Sequence, residues 1–353
     1  MITIKDIAQV AGVSESTVSR VLSKPPEECN VSEPLQRKVR EVANKFEYQP
    51  NLMARGLATR RTGNIGLVIY QYEHLTSPVM TQVVAGVANA ISLSEYSLLI
   101  EAIYQPGKQD KESRKLSGLF ARRQVDGLII VAQEVEPIWL LELVREKYPF
   151  VLCNTHFPEI LADSVRTNSV EFGNSVVRYL AELGHRNIAI FPGPEYVGNR
   201  HRRGTVDTIH TAASELGLRI APENLIYTGY SQEEAYRGAK KLFSWSEPPT
   251  AVFAADDAIA IGVLEAAQKQ GLHVPEDVSI LSGVDTYKTQ LASIPITAIQ
   301  IPYDEIGFES TQLLFKRLKD NKLGDCQQVF LPFIIVERKS CGPVNLAKDV
   351  VNK

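Results

Sequence analysis

A short polar stretch near the start of the chain carries side chains suited to contact nucleic acid. Within "VSESTVSRVLSK", residues 13–24, the polar positions are Glu15, Ser16, Thr17, Ser19 and Arg20. Serine and threonine hydroxyls can bond phosphates or bases, and an arginine can bond guanine O6 and N7. The same residues would also suit the solvated face of an ordinary surface helix, so the stretch alone leaves both interpretations open.

Two adjacent helices are expected to hold this polar face. Thr3 is predicted to cap the first helix, Gly12 to end it in a tight turn, and Ser14 to cap the second. The apolar spacing predicts an inward set of Ile4, Ile7, Ala8, Val10, Val18, Val21 and Leu22. Two helices joined by a glycine turn are typical of a helix-turn-helix, in which the second helix enters the major groove.

A third helix and a short fourth segment follow. Ser32 is predicted to cap the third helix, after the loop "KPPEECN", with an inward set of Leu35, Val39, Val42, Ala43 and Phe46. The segment "NLMARGLATRRTG", residues 51–63, predicts a helix too short to be stable alone. It is either a frayed linker or a hinge helix that inserts Leu57 between base pairs of the minor groove.

The charge of the chain is unevenly distributed. The net charge is −3, from 38 basic and 41 acidic residues, but residues 1–62 hold ten Lys or Arg and seven Asp or Glu, a net of +3. The remainder therefore holds 28 basic and 34 acidic residues, a net of −6. A basic head on an acidic body is the distribution expected when only one module contacts DNA.

From Ile65 onward the pattern changes to short strands that alternate with amphipathic helices. The predicted strands are "IGLVIYQ", "YSLLIEAI", "DGLIIVA", "FVLCN", "NIAIFPG", "NLIYTG", "TAVFAA" and "VSILSG". This alternation predicts parallel sheets with helices on both faces, and the number of strands favours two α/β lobes. A small ligand is then expected between the lobes, at the carboxyl ends of the strands.

Several other classes of protein lack support in the sequence. No nucleophile elbow, Walker loop, zinc-protease motif or dinucleotide fingerprint is present, so no enzyme activity and no cofactor are predicted. The four cysteines form no C-x-x-C pair and the six histidines have no metal-ligand spacing, which indicates reduced thiols and no metal site. No apolar run is long enough to span a membrane, and "MITIKDIAQV" does not resemble a signal peptide, so a cytoplasmic location is expected.

Taken in order, the motifs identify a family. The stretches "TIKDIAQVAGVSESTVSRVL" and "YQPNLMARGLATRRTGNIGLV" closely resemble the lac repressor / galactose repressor family of bacterial transcription regulators. Further matches are "SP" at 77–78, "VDGLII", "LGHRNIAIF", "TAVFAADDAIAIGVLEAAQKQGLHVPEDVSI" and "LPFIIVERKS". Each piece is weakly specific, but together, in one order, they cover nearly the whole chain.

The resemblance implies a fold and a domain organisation. The fold is a small all-α helix-turn-helix headpiece with a hinge helix, followed by a two-lobed α/β body like that of type I periplasmic binding proteins, with three crossing connections. The expected segments are a headpiece at 1–49, a hinge at 50–62, a body at 63–341 and a short tail at 342–353. Lobe 1 is expected at about 63–160 and 290–322, and lobe 2 at about 161–289 and 323–341.

The resemblance also implies partners and DNA contacts. A homodimer is expected to bind a pseudo-palindromic operator, with Leu57 of each chain kinking its centre; the tail has no leucine heptad for further assembly. The expected DNA-contacting residues are Thr3, Ser14, Glu15, Ser16, Thr17, Ser19, Arg20, Asn51, Ala54, Arg55 and Leu57. Two departures stand out: the loop after the second helix is about three residues longer than the family pattern, and Glu15 is acidic, which predicts a cytosine-containing step.

For the body, the resemblance implies a sugar-like effector between the lobes. The expected contacts are Tyr70, Asn154, Arg202, Tyr230, Asp256, Asp285 and Tyr303, with Arg200 or Arg203 as alternatives to Arg202. Such a set suits a polyol, since carboxylates and arginine bond hydroxyls and tyrosines cover the C–H face of a sugar. Asp256 could equally cap a helix that starts at Asp257, and the tyrosines could be ordinary half-buried aromatics.

The function expected from these observations is that of a transcription regulator, a repressor, controlled by a small-molecule effector. Two alternatives stay open: a sugar-binding protein with no DNA role, and a corepressor-type regulator that binds a nucleobase. The first would not explain residues 1–62, and specific binding to duplex DNA would separate it from a regulator.

Overall fold

The computed structural model describes residues 2–23, 26–48, 61–70, 76–103, 118–132, 138–194, 200–320 and 325–345. The chain forms two compact units, Met1–Gly63 and Asn64–Lys353. In its described residues the first unit contains helices and no strand, and the second contains two sheets with helices packed against them.

The described part of the first unit has three α-helices and one turn of 3₁₀ helix. The helices are α1 (Ile4–Ala11), α2 (Glu15–Ser23) and α3 (Glu33–Lys45), with the 3₁₀ turn at Pro26–Glu28. Thr3 caps α1 as predicted, and Gly12 ends it in the left-handed conformation, with φ of 70° and ψ of 37°. This conformation favours glycine, which explains the residue type at the turn between α1 and α2.

The core of the first unit follows the predicted apolar face with two exceptions. Its buried members are Ile7, Ala8, Ala11, Val18, Val21, Cys29 and Val39. Val10 and Phe46 were predicted inward but are 53% and 38% exposed. The buried face of α1 is formed by Ile7, Ala8 and Ala11, and at 100° per residue Val10 lies outside that face. Ser32 is the N-cap residue of α3, but its hydroxyl makes no capping hydrogen bond.

A buried glutamine holds the loop between α2 and α3. Gln36 Nε2 donates to the carbonyl oxygens of Pro26, Cys29 and Val31 at 3.3, 3.2 and 2.8 Å. Arg40 Nη2 donates to the carbonyl oxygen of Val21 at 2.8 Å and so satisfies the last turn of α2. The described part of the loop, residues 26–31, is therefore tied to α3, because Gln36 donates hydrogen bonds to its carbonyl oxygens.

The variant Gln36→Ala is expected to loosen this loop selectively. It removes the side-chain donor from three loop carbonyl oxygens; those of Pro26 and Cys29 keep the backbone amides of Cys29 and Val31 as donors, so we expect a cost of about 1 to 2 kcal/mol. Hydrogen exchange followed by mass spectrometry should then show amides of the segment 26–36 exchanging about ten-fold faster than in the wild type. Gln9→Ala, at an exposed position of α1, is the control. Equal exchange of the segment in both variants would show that Gln36 does not hold the loop.

The second unit has two sheets whose strands alternate with helices. The first sheet has the order β10-β5-β4-β3-β1-β2 and is parallel throughout. Its strands are β1 (Asn64–Tyr70), β2 (Ser97–Ile103), β3 (Gly127–Val131), β4 (Phe150–Cys153), β5 (Asp163–Arg166) and β10 (Gln328–Phe330). The second sheet has the order β11-β9-β8-β7-β6. Its strands are β6 (Ile188–Phe191), β7 (Ala251–Ala254), β8 (Ser279–Ser282), β9 (Thr297–Gln300) and β11 (Ile334–Val336).

Helices cover both sheets. They are α4 (Pro78–Ser92), α5 (Gly118–Ala121), α6 (Ile138–Arg145), α7 (Ser169–Glu182), α8 (Arg200–Glu215), α9 (Gln232–Leu242), α10 (Asp257–Lys269), α11 (Tyr287–Gln290) and α12 (Tyr303–Asp320). The strands β1, β3, β4, β6, β7 and β8 are buried over nearly their whole length, as parallel strands with helices on both faces must be.

The sheets correct parts of the sequence prediction. The predicted strand "NLIYTG" is wrong, since its backbone makes only an isolated bridge between Leu225 and Ile190. Strands β5, β9, β10 and β11 were not predicted: β5, β9 and β10 are only three or four residues long and lack a continuous apolar run, and β11 has only three residues. The edge strand β11 runs antiparallel to β9, so the second sheet is not purely parallel.

The chain crosses between the sheets three times, but later than the expected lobe boundaries. The first crossing follows Arg166 rather than residue 160, because β5 pairs with β4. The second follows Gln300 rather than residue 289, because β9 pairs with β8. The third follows Phe330 rather than residue 322, because β10 pairs with β5.

Candidate functional site

The polar face of α2 is exposed, and its apolar face is buried. Glu15, Ser16, Ser19 and Arg20 are exposed and Thr17 is half-buried, while Val18 and Val21 are fully buried against α1 and α3. The helix therefore presents to solvent the hydroxyl, carboxylate and guanidinium groups that the sequence predicted, in the arrangement a recognition helix needs.

Two of the predicted DNA-contacting residues also shape the helix ends. Ser14 Oγ lies 2.8 Å from both Ser16 Oγ and Thr17 Oγ1 and accepts a hydrogen bond from the Thr17 amide at 3.2 Å. Thr3 Oγ1 donates to Asp6 Oδ2 at 2.7 Å, and hydrogen bonds from Thr3 lower the pKa of Asp6. The hydroxyls of Thr3 and Ser14 are thus engaged in capping, and their contact with DNA stays a prediction.

The predicted hinge contacts Asn51, Ala54, Arg55 and Leu57 lie outside the described residues. The proposed wedge in the minor groove is therefore carried by the sequence alone.

A cavity of about 150 Å³ lies between the two sheets of the second unit. Both sheets contribute to its wall. From the first sheet, Asn154 follows β4 and Arg166 is the last residue of β5; from the second, Ala255 follows β7 and Gly283 follows β8. The remaining wall residues are Thr167, Ser169, Phe172, Ile190, Pro192, Val206, Ile209, Phe253, Val284, Ile301 and Tyr303. Because one water occupies about 30 Å³ of liquid, the cavity has room for a small ligand. It lies at the carboxyl ends of the parallel strands, where α/β folds bind ligands.

The wall of the cavity combines aromatic faces with a few polar groups. Phe172 and Phe253 pack edge to face with ring centroids 6.1 Å apart. Asn154 adopts the left-handed conformation, with φ of 55°, which few residues tolerate apart from glycine and asparagine. Of the predicted effector contacts, Asn154 and Tyr303 lie on the cavity wall. Their contact with an effector stays a prediction.

Asp285 was predicted to contact the effector, but the structure places its carboxylate in an ion pair. Asp285 Oδ2 accepts from Arg338 Nη2 at 2.7 Å and Oδ1 accepts from Thr289 Oγ1 at 2.8 Å. The two charged side chains are only 5% and 16% exposed. Asp285 is not among the residues that line the cavity, although Gly283 and Val284 just before it are.

Asp256 caps a helix, the alternative left open by the sequence. Its Oδ1 accepts from the Ala258 amide at 3.0 Å at the start of α10. The neighbouring Asp257 is buried and accepts a hydrogen bond from Thr286 Oγ1 at 2.6 Å. Burial and the charge of Asp257 raise the pKa of Asp256 to about 6, so an ionised Asp256 at neutral pH weakens the fold.

The variant Asp256→Asn is expected to stabilise the protein at neutral pH. Asparagine caps helices as well as aspartate but carries no charge. The wild type loses stability as the pH rises from the ordinary aspartate pKa of 3.8 through 6, because the unfolded chain ionises first. The variant should gain about 1 to 2 kcal/mol at pH 7 and nothing below pH 3.8. Thermal unfolding at several pH values measures this, with exposed Glu223→Gln as control; a gain that does not depend on pH would contradict the account.

The other predicted contacts lie elsewhere or are not described. Tyr70 is 5% exposed in the core at the end of β1, and burial raises its pKa. Tyr230 is half-buried against the second sheet's core. Arg200, Arg202 and Arg203 belong to α8, whose described part reaches the cavity through Val206 and Ile209, while their own side chains lie outside the described positions.

The main polar residue that sequence reasoning missed is Arg166. It ends β5, a strand that was not predicted, and lies two residues before Asn168, the N-cap of α7. Asn168 Oδ1 accepts from the Val170 and Glu171 amides, a cap that could have revealed the junction between strand and helix. Such junctions line ligand clefts in α/β folds, so an arginine there is a candidate contact.

Among the described residues, no group of three or more His, Cys, Asp or Glu residues is placed to hold a metal ion. No helix in the described ranges is long and apolar enough to cross a membrane.

Both units are similar to known protein families. Residues 3–51 match the model for bacterial regulatory proteins of the lacI family, and residues 177–341 match that for a periplasmic binding protein-like domain. The ribose operon repressor of Haemophilus influenzae is 31% identical over 322 residues, covering 91% of this chain and 93% of its own length. Catabolite control protein A of Priestia megaterium is 29% identical over 339 residues, covering 96% and 99%.

A solved structure shows the same architecture. The lac repressor dimer bound to operator and an anti-inducer matches with a TM-score of 0.81 at 24% identity, covering 97% of this chain and 99% of its own. The similarity to curated relatives extends over nearly the full length, through both the helical headpiece and the two-sheet body. The chain therefore belongs to the lacI family of bacterial regulatory proteins.

Proposed function

We propose that this lacI-family chain is a cytoplasmic repressor that binds a pseudo-palindromic operator as a homodimer. A small molecule in the cavity between the sheets sets its affinity for DNA. The proposal rests on one observation. The same chain has an exposed polar face on α2 and a ligand-sized cavity at the carboxyl ends of the parallel strands of its two sheets. A sugar-binding protein without a DNA role would not require the exposed polar face of α2.

Recognition is assigned to the polar face of α2. Arg20 bonds a guanine, Glu15 accepts from a cytosine amine, and the hydroxyls of Ser16 and Ser19 bond base edges or phosphates. Ser14 and Thr3 fix the two helix starts and approach the backbone of the DNA. The residues 50–62 form the hinge, with Leu57 as the wedge between base pairs.

The effector is sugar-like, and it acts by fixing the relative rotation of the two lobes. Tyr303 and Phe172 offer aromatic faces to a sugar ring, and Asn154 offers an amide to its hydroxyls. The strand β1 begins at Asn64, directly after the proposed hinge, so lobe rotation has a short covalent path to the DNA-contacting segments. Coupling of this kind amounts to about 1–3 kcal/mol and is reciprocal.

The homodimer forms through the body. Exposed apolar side chains in both lobes, Ile100 on the edge strand β2 and Tyr287 and Leu291 at α11, provide contact area for a second copy. Sedimentation equilibrium of the full chain at micromolar concentration is expected to give the mass of a dimer. A monomer or a stable tetramer would contradict this part of the proposal.

The test of the proposed function combines DNA and ligand binding. Selection from a random duplex pool with the full chain is expected to recover an inverted repeat. A thermal-shift screen of sugars, sugar derivatives and nucleobases then identifies effectors, since a ligand at 100 times its dissociation constant adds about 2.7 kcal/mol. An effector that binds without changing the affinity for the recovered duplex would overturn the allosteric part, and recovery of no sequence would overturn the repressor itself.

A further inference from the structure

The cavity wall carries one buried positive charge, and the described part of the wall carries no carboxylate to balance it. Arg166 is 9% exposed, lines the cavity, and is the charged residue among the wall residues given above. A buried guanidinium is normally paired with a carboxylate, because an unpaired buried charge is costly.

The contacts of Arg166 are weak for a buried arginine. Its Nη1 donates to the Thr167 carbonyl at 3.4 Å, and Nη2 donates to the Gln328 side-chain oxygen at 3.3 Å. The guanidinium carbon lies 4.6 Å from the centre of the Phe330 ring. Nε has no hydrogen-bond partner within the described residues. These contacts hold the guanidinium in place and leave its charge uncompensated, and burial accordingly lowers the pKa of Arg166.

The nearest carboxylate along the strand is engaged elsewhere. Asp163 accepts from Arg317 through both Nε and Nη2, at 2.6 and 2.7 Å, and from the Gln327 amide at 2.7 Å. Because successive side chains of a strand alternate, Asp163 and Arg166 point to opposite faces of β5. Within the described residues, Arg317 is therefore paired with the carboxylate of Asp163 through two hydrogen bonds. Arg166, at the cavity, has no such carboxylate partner there.

The start of α7 adds to the positive potential around Arg166, and a neutral histidine lies close by. The helix α7 begins beside Arg166, with Thr167 and Ser169 on the cavity wall. Asn168 already accepts from the Val170 and Glu171 amides, so what the helix offers an anion is the positive end of its dipole. His156, close to Arg166, has a buried Nδ1 without a hydrogen-bond partner within the described ranges. Burial and the charge of Arg166 lower the pKa of His156, which keeps it neutral at physiological pH.

We propose that the effector is an anionic sugar derivative, bearing a phosphate or a carboxylate, whose negative group is bound by the fork of Arg166 at the amino end of α7. The inference rests on the proposed function and narrows the class of its ligand. A guanidinium fork matches the two oxygens of either group, and the aromatic side of the cavity, Phe172 and Tyr303, then covers the sugar ring. A neutral sugar would leave the charge of Arg166 without a counter-charge.

Titration calorimetry and thermal shift of the full chain test the inference, at constant ionic strength. The probes are glucose, glucose 6-phosphate, gluconate and inorganic phosphate. We expect stabilisation by phosphate and glucose 6-phosphate if the group is a phosphate, or by gluconate if it is a carboxylate, and none by glucose. Stabilisation by glucose equal to that by the anions, or no response to any anion, would overturn the proposal.

Variants assign the effect to Arg166. Arg166→Gln should raise the dissociation constant of the anion at least about ten-fold, and Arg166→Lys, which keeps the charge but loses the fork, should raise it less. Arg237→Gln is the matched control, since Arg237 is exposed and pairs with Glu233 on α9. Equal affinity in Arg166→Gln and the wild type would overturn the assignment.

A measurement on the wild type avoids dependence on variant folding. Crystals of the full chain soaked with tungstate, a phosphate analogue, should show an anomalous peak next to the Arg166 guanidinium, and a cavity without that peak would contradict the proposal. Binding to the selected duplex is measured on the same preparation. Specific DNA binding without anion binding means that this inference fails and the repressor proposal stands, whereas anion binding without specific DNA binding means the reverse.

Discussion

Asp285→Ala is expected to destabilise the body by about 3 to 5 kcal/mol, because removing one partner of a buried ion pair leaves the other charge uncompensated. The remaining partner, Arg338, is 16% exposed and would retain only its hydrogen bond to the Ile296 carbonyl, at 2.8 Å, and its backbone contacts. Urea unfolding of the full chain, monitored by a body-specific signal such as tryptophan fluorescence, measures the change.

A matched exposed pair provides the control for this prediction. Glu265 pairs with Lys269 at 2.6 Å on α10, with side chains 38% and 60% exposed. Glu265→Ala should change stability by less than about 0.5 kcal/mol, because exposed ion pairs contribute little. If Asp285→Ala were as mild as the control while abolishing effector binding, Asp285 would be a ligand contact, as the sequence predicted, rather than a structural partner of Arg338.

Arg20→Ala is expected to weaken binding to the selected operator by about 1–3 kcal/mol, roughly ten- to hundred-fold, and to relax the preference at one base pair. Arg20 is exposed on α2, and a bidentate bond to guanine is the strongest contact that its face of the helix can make. Fluorescence anisotropy at one fixed salt concentration, on operator and random duplexes, measures both effects.

The control for Arg20 removes the same charge from a different helix. Arg37 is exposed on α3, so Arg37→Ala changes the net charge of the headpiece equally without touching the recognition face. Arg37→Ala should weaken binding to the operator and to random duplexes equally. Its effect on operator binding should be smaller than that of Arg20→Ala. Equal losses for Arg20→Ala on both duplexes would show that Arg20 contacts phosphate and reads no base.

The fold was predictable where a local pattern is strong. The run "GLIIV" of β3 is buried at every position, and such runs between amphipathic helices indicate parallel strands. The strand β5, "DSVR", was missed because its burial depends on a partner distant in sequence: Arg317 on α12 neutralises Asp163 and so allows a charged residue inside the sheet. No local pattern reports such a pairing.

The candidate site shows the same limit. Asn154 was predicted because it ends an evident strand, and it lies on the cavity wall. Asp285 also follows an evident strand, but its carboxylate is taken by Arg338, more than fifty residues later in the chain. Arg166 was missed for the opposite reason, since the strand that delivers it to the cavity was not recognised. Residue type and position relative to a strand can be inferred locally, but the pairing state of a buried charge depends on the tertiary fold.

Recognition of a DNA sequence through α2 is tested by one comparison of affinities. The full-length protein is titrated against the duplex recovered by selection and against a shuffled duplex of equal length and composition, at physiological salt. We expect binding at least about 10³-fold tighter to the recovered duplex. Equal affinities for the two duplexes would contradict it.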